Sequence, residues 1–213
     1  MFRHKICSEQ GKTRTTAMRK ILIPLLIIGG LVLIFFLVFQ GKYNAMVTKE
    51  EGTVGQWAQV ETSYQRRADL IPNLVSTVKG YAEFEQETLT QVIEARAKAT
   101  SVNIDPQNLS PEKLQQFQSA QSELGGALSR LLVSIERYPN LKANQNFLAL
   151  QSQLEGTENR ISVERRRFNE VVQDYNTYIR RFPNNIIANM SGFEKKGYFE
   201  AESGSEQAPE VQF

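Results

Sequence analysis

The 213-residue chain has one cysteine (Cys7) and one histidine (His4), and both precede its only long apolar run. From Gly41 onward there is neither residue type. That composition excludes from the main body structural zinc sites, Cys/His nucleophilic pairs, Ser-His-Asp triads, haem ligation by histidine and di-iron sites built on Glu-x-x-His. A single cysteine leaves no disulfide within the chain. Seven prolines and thirteen glycines are few for this length. The stretch 43–182 has little of either, and its prolines fall at natural breaks, which favours long helices. No segment alternates polar and apolar residues for long enough to specify a sheet. Basic charge is also scarce where a nucleic-acid interface would need it. Residues 43–213 hold 18 basic and 22 acidic residues, so no nucleic-acid partner is expected.

What is present begins with Ile21 to Phe39, ILIPLLIIGGLVLIFFLVF, nineteen residues without a charge. At 1.5 Å per residue it spans roughly 28 Å, close to the hydrocarbon thickness of a bilayer. Pro24 and the Gly29-Gly30 pair are tolerated in a lipid-embedded helix. No small-x-small cleavage site follows, so the run reads as an uncleaved anchor contacting membrane lipid through residues 21–39. Six Lys/Arg precede it within residues 1–20, against Lys42 and Lys49 just after it. The positive-inside rule then predicts a cytoplasmic N-terminus and an extracytoplasmic body, periplasmic in a bacterium with two membranes. Met18, directly before Arg19-Lys20, offers a second start position; a chain beginning there would weaken that bias. The expected division is a basic cytoplasmic tail (1–20), a transmembrane helix (21–39), a helical bundle (43–183) and an irregular C-terminal tail (184–213).

The body carries heptad-like seams. Phe147, Leu150, Leu154, Thr157, Ile161, Glu164, Phe168, Val171, Tyr175, Tyr178 and Phe182 alternate by three and four residues and predict one helix of about 40 residues. Leu114, Phe117, Gln121, Leu124, Leu128, Leu131, Ile135 and Tyr138 repeat the pattern. Ser110 stands as cap and Pro111 at the first helical position. Residues 43–68 and 73–101 supply two more helices, with Asp69-Leu70-Ile71-Pro72-Asn73 read as the turn between them in preference to a kink at Pro72 in one continuous helix. The predicted fold is all-α: one N-terminal transmembrane helix, then an up-and-down antiparallel four-helix bundle. Ile186, Ile187, Phe193, Tyr198 and Phe199 are available to pack on it.

Two strings are distinctive. One is Arg66-Arg67-Ala68-Asp69-Leu70-Ile71-Pro72-Asn73-Leu74-Val75, continuing to Glu94-Ala95-Arg96. The other is Glu136-Arg137-Tyr138-Pro139-Asn140-Leu141-Lys142-Ala143-Asn144, continuing through Thr157-Glu158-Asn159-Arg160-Ile161 to Phe168-Asn169 and Tyr175-Asn176. Over roughly residues 40–200 the chain resembles the LemA family of bacterial membrane-anchored helical proteins. The resemblance implies an anchor and an all-α bundle; it brings no catalytic residue and no cofactor.

Three constellations invite function. The Pro-Asn turns, Asp69, Pro72 and Asn73 with Pro139 and Asn140, would share the membrane-distal end of an up-and-down bundle and offer a partner-binding surface. Glu164 at a seam position requires a buried partner, for which Arg66 or Arg67 on another helix is the expectation. The C-terminal Val211-Gln212-Phe213 suits strand addition in a PDZ-type groove through Val211 and Phe213. Glu83, Glu85, Glu87 and Glu94 read as a solvated acidic patch, because a helical di-metal site would add histidines. No metal, cofactor or small-molecule substrate is indicated. The leading expectation is a non-enzymatic interaction or scaffold protein of the inner (cytoplasmic) membrane, partnered by another envelope protein or by copies of itself. A stress or signalling adaptor, and a hydrolase using only carboxylate, Ser or Lys, are the competing classes.

Overall fold

In the computed structural model, described over residues 6–80 and 85–200 with side chains from Leu22 onward, every regular element is an α-helix. The order is α1 (Ile6–Lys79), α2 (Gln86–Ser101), α3 (Pro111–Ile135), the single turn α4 (Pro139–Lys142), α5 (Gln145–Arg180) and α6 (Asn184–Ser191). The chain divides into two compact units, Met1–Val47 and Thr48–Phe213. In the first, Pro24 and Gly29-Gly30 leave the helix unbroken. Leu22 to Val38 expose half or more of every large apolar side chain. A helix this long and apolar can cross a membrane, and none of its apolar window is buried. The chain is a single-pass membrane protein.

The second unit buries two apolar clusters. One joins Ile71, Leu74, Val75 and Val78 to Leu89, Val92, Leu124, Leu131, Leu141, Phe147 and Leu154. The other gathers aromatic rings: Trp57 lies 5.2 Å from Phe117 and 5.7 Å from Phe168 between ring centres, both edge-on. Contacts along α1 and α5 run in opposite order, Lys49 to Asp174, Gln56 to Glu164 and Arg67 to Glu158. Those along α2 and α3 do the same, with Glu85 meeting Arg137, Lys98 meeting Glu123 and Ala99 meeting Gln121.

The α3 seam is buried from Leu114 through Ile135, with Tyr138 half-buried beyond the helix. Ser110 caps the helix, its hydroxyl accepting from the Lys113 N–H at 3.4 Å, and Pro111 takes the first position. The Glu112 carboxyl there is held below the ordinary glutamate range by its own backbone N–H and by Ser110. The α5 seam follows the expected spacing through Phe168 and then shifts to Val172, Tyr175, Asn176 and Ile179. Val171 and Tyr178 are half-buried and Phe182 is 82% exposed. A strict 3.5-residue repeat drifts by about 20° per heptad on a straight α-helix, so the buried face moves on by one residue.

The expected turn at 69–73 is absent. Residues Asp69 to Asn73 are helical, and α1 continues through Pro72 to Lys79. Proline at position 72 removes the N–H that would bond the Ala68 carbonyl. The Arg96 Nε of α2 donates to that carbonyl at 2.7 Å and replaces the missing bond. The reversal comes after Lys79-Gly80, where a glycine past the last helical residue marks a helix end. Ala82 and Glu83 lie outside the described residues. Within the segment expected to be irregular, Asn184–Ser191 forms α6, ended by Gly192 in the left-handed conformation at φ 78°.

Arg96→Ala should therefore cost about 1–2 kcal/mol by stranding a carbonyl. In a Pro72→Ala background, where residue 72 regains its N–H, most of that cost should disappear. Equal costs in both backgrounds, measured by thermal unfolding of the full chain in detergent, would show that Arg96 acts otherwise.

Candidate functional site

On α1 the buried stripe reads Ser63, Tyr64, Arg67, Ala68, Ile71 and Leu74, so helical periodicity directs the Arg67 side chain inward. Arg67 is 4% exposed. Its Nη1 donates to the Glu158 carboxylate of α5 at 2.7 Å. Its Nη2 donates to the Gln121 side-chain oxygen at 2.6 Å and to the Gln121 carbonyl at 3.2 Å, both on α3. The guanidinium sits 5.1 Å from the centre of the Tyr64 ring. Gln121 in turn donates from Nε2 to the Ala99 carbonyl of α2 at 3.3 Å. One polar chain, Glu158–Arg67–Gln121–Ala99, thus ties four helices together. The Arg67 Nε is buried without a partner.

Arg67 also lines a groove of about 720 Å³ between α1, α3 and α5. The α3 wall is low because Ser122, Gly125, Gly126 and Ser129 carry little or no side chain. A Cβ added at Gly125 would meet nothing within 4 Å. The α5 wall presents Gln151, Glu155, Glu158 and Asn159, with Arg165 also on the rim. Amides, hydroxyls and a buried cation suit recognition of a polar, hydrogen-bonding surface.

Glu164 is buried, as its seam position implied, but its partners are not Arg66 or Arg67. It accepts from Gln56 Nε2 of α1 at 2.9 Å and lies 3.4 Å from Arg167 and 4.0 Å from Arg160 on its own helix. Register decides this. Gln56 stands opposite Glu164, and Arg67 is eleven residues or roughly 16 Å farther along α1. Arg66 faces solvent.

A second arrangement holds the segment after α6. Three side-chain amides each bond the N–H and the C=O of one residue, as a neighbouring strand would. Asn176 does so with Lys196, Asn169 with Phe199 and Gln118 with Glu200, at 2.8–3.2 Å. Gly197 crosses the start of α3, its N–H donating to the Leu109 carbonyl at 2.8 Å. A Cβ on Gly197 would come within 2.8 Å of Pro111 Cα. Lys196 is buried, bonding Glu50 at 2.7 Å and the Gln107 carbonyl at 2.5 Å. Tyr175 donates to the Glu194 carbonyl at 3.0 Å. Burial, and then the negative charges of Glu50 and Glu194, push the Tyr175 hydroxyl above the ordinary phenol range.

Above about pH 10 the unfolded chain loses this proton while the folded chain keeps it, so stability should fall as pH rises. Near-ultraviolet titration of tyrosinate should then show the Tyr175 contribution, read as the difference from Tyr175→Phe, silent until unfolding. Tyr175→Phe should flatten the alkaline loss. A full set of tyrosines ionising in the folded chain would contradict the burial argument.

Of the remaining expected residues, Asp69, Pro72 and Asn73 are exposed on α1, with Asn73 roughly 9 Å along the axis from the end of the helix. Pro139 and Asn140 are exposed at the start of α4, and the nearby Arg137 bonds Glu85 at 2.9 Å. Asp69, Pro72 and Asn73 thus stand on a helix face and not at a turn. Val211 and Phe213 lie outside the described residues. Among the described residues no group of three or more His, Cys, Asp or Glu side chains is placed to hold a metal ion.

The residues that sequence reasoning did not pair are Gln121 and Glu158. Gln121 carried a signal, a polar residue at a seam position; Glu158 carried none, because it sits off the α5 seam.

A family model described as the LemA family matches residues 56–213, which include the Arg67 groove and the amide-held segment. Protein LemA of Metamycoplasma hominis is 26% identical over 168 residues, 79% of this chain and 73% of that protein. Magnetosome protein MamQ 2 of Paramagnetospirillum magneticum is 26% identical over 176 residues, 75% of this chain and 65% of that protein. Magnetosome protein MamQ of Magnetospirillum gryphiswaldense is 26% identical over 175 residues, 74% and 64% of the two chains. The chain thus spans just under two thirds of the length of these magnetosome proteins.

Proposed function

The chain belongs to the LemA family, and from that premise we propose that it works as a membrane-anchored interaction or scaffold protein of the bacterial envelope, without catalysis. The observation that carries the reading is the polar groove at Arg67. Its buried groups brace helices against one another, and its open walls offer amides and hydroxyls to a partner surface. The lack of Cys and His after Gly41 supports a binding role over a catalytic one. Relatives named for the magnetosome accord with a place in an assembly.

The four long helices are read here as an up-and-down antiparallel bundle, supported by the opposed contact order of α1 with α5 and of α2 with α3. The Lys/Arg bias supports a cytoplasmic N-terminus and a body outside the inner membrane. The Pro139-Asn140 turn and the Val211 to Phe213 end remain further partner-binding candidates.

A photoreactive side chain at Ser122 on the groove, or at Asn140, in the full-length protein in cells should capture an envelope protein or a second copy. Crosslinks absent from both positions in folded, membrane-inserted protein would sink the interaction reading. Alkaline phosphatase fused after Phe213 should be active; an inactive fusion would reverse the topology.

A further inference from the structure

The helix α6 has two unlike faces. Ile187 and Ala188 are buried, while Ile186 and Met190 are 50% and 74% exposed. Phe182, four residues before Ile186, is 82% exposed. Spacing by four places Ile186 and Met190 on one ridge, with Phe182 leading into it. Around this ridge Arg180, Arg181 and Lys195 are exposed, with the exposed acids Glu194 and Glu112 beside Arg180 and Lys195. Lys196 takes no part, since it is committed to Glu50 and Gln107.

The surroundings of α6 give its address. Asn184, its first residue, donates to the Tyr178 carbonyl at 3.0 Å. Lys49 sits 5.2 Å from the centre of the Tyr178 ring and bonds Asp174 at 2.5 Å. Lys49 follows Phe39, the last residue of the apolar run, by ten residues. Even fully extended, that connection reaches no more than about 36 Å. Lys49, and with it the Tyr178 to Asn184 segment that leads into α6, is therefore tethered within that reach of the end of the apolar run.

We propose that α6 with Phe182 is a second membrane contact, lying in the headgroup layer of an anionic bilayer. Phe182, Ile186 and Met190 enter the acyl boundary, and Arg180, Arg181 and Lys195 face lipid phosphates. A short ridge of three apolar side chains flanked by cations binds weakly when free in solution. Held at the surface by the anchor, its binding becomes an intramolecular event at high effective concentration. The contact orients the body on the membrane. It rests on residues 21–39 being the anchor, and the test separates the two.

Full-length protein in a Cys7→Ser background carries one fluorophore, through Ile186→Cys, Met190→Cys, Val32→Cys in the anchor or Val133→Cys on α3. It is reconstituted in phosphatidylcholine vesicles with about one third phosphatidylglycerol, anionic enough to attract cations. Lipids brominated near the headgroup end of the acyl chain should quench labels at 186 and 190 about threefold more than the label at 133, with the label at 32 also quenched. Arg180→Glu with Arg181→Glu should reduce quenching at 190 and leave helix content unchanged. Quenching at 32, with 186 and 190 no different from 133, would overturn the proposal and leave the anchor intact. Labels at 186 and 190 shielded from both brominated lipid and aqueous iodide would overturn it in favour of a second copy covering the ridge. An unquenched label at 32 would overturn the anchor and this contact together.

Discussion

Phe199→Ala should lower the stability of the body by about 3–5 kcal/mol, the usual cost of removing a buried aromatic ring. For a domain of this size that corresponds to roughly 6–20 °C in Tm. Phe199 is 5% exposed. Its ring stacks on Trp57 at 6.1 Å and meets Phe168 edge-on at 5.5 Å, and the Arg165 guanidinium lies 5.0 Å from its centre. Among the described residues after α6, no other contributes an aromatic ring to that cluster. Losing the ring should also loosen the three amide clamps, since they hold a segment that no longer has an anchor. Amide hydrogen exchange at residues 196–200 should then accelerate more than in the rest of the body. Tyr198→Ala is the control. Its side chain is 43% exposed, and a surface truncation there should stay within about 0.5 kcal/mol. Similar losses from the two substitutions, in thermal unfolding of the full chain in detergent, would show that the segment is an appendage and not part of the core.

Arg67→Ala should cost about 3 kcal/mol, at the lower end for breaking a buried ion pair. The value is held down by Glu158, whose side chain is 48% exposed and regains water when its partner is removed. It is held up by Gln121, whose side-chain oxygen is left buried without a donor. Arg67→Met retains most of the volume and should recover the packing part of the loss, but not the Gln121 bonds. Glu158→Gln keeps an acceptor for Nη1 and should cost less than Arg67→Ala. If Glu158→Gln proves the worse of the two in thermal unfolding, the dominant contribution is charge compensation and the Gln121 connection is secondary. Crosslinking from Ser122 should weaken in Arg67→Met even where the fold survives, because the groove then loses its cation.

How much of this was legible depended on whether a residue's neighbours lie within its own helix. The α3 seam, its Ser110 cap and its Pro111 start follow from spacing and from the unpaired N–H groups of any helix N-terminus. Glu164 was legible as buried, because burial on a helix is periodic. Its partner was not, because partner choice depends on the register between α1 and α5. The turn at Pro72 was misplaced for a related reason. Proline breaks a helix when its orphaned carbonyl stays unpaired, and here a side chain from another helix pairs it. Gly80, seven residues after Asn73, was the better marker of the reversal.

The sequence by itself determined an all-helical chain with one apolar anchor, the seams along α3 and most of α5, and a body whose composition disfavours metal and nucleophile chemistry. These properties depend on composition and on periodicities of a few residues, which each segment carries alone. The tertiary structure decided that α1 passes through Pro72, that Arg67 binds Glu158 and Gln121 while Glu164 binds Gln56, and that Asn169, Asn176 and Gln118 hold an extended segment. Each of those outcomes joins residues from about 20 to more than 100 positions apart. A buried polar group takes whichever partner the packed helices bring within about 3 Å, and only packing sets that distance.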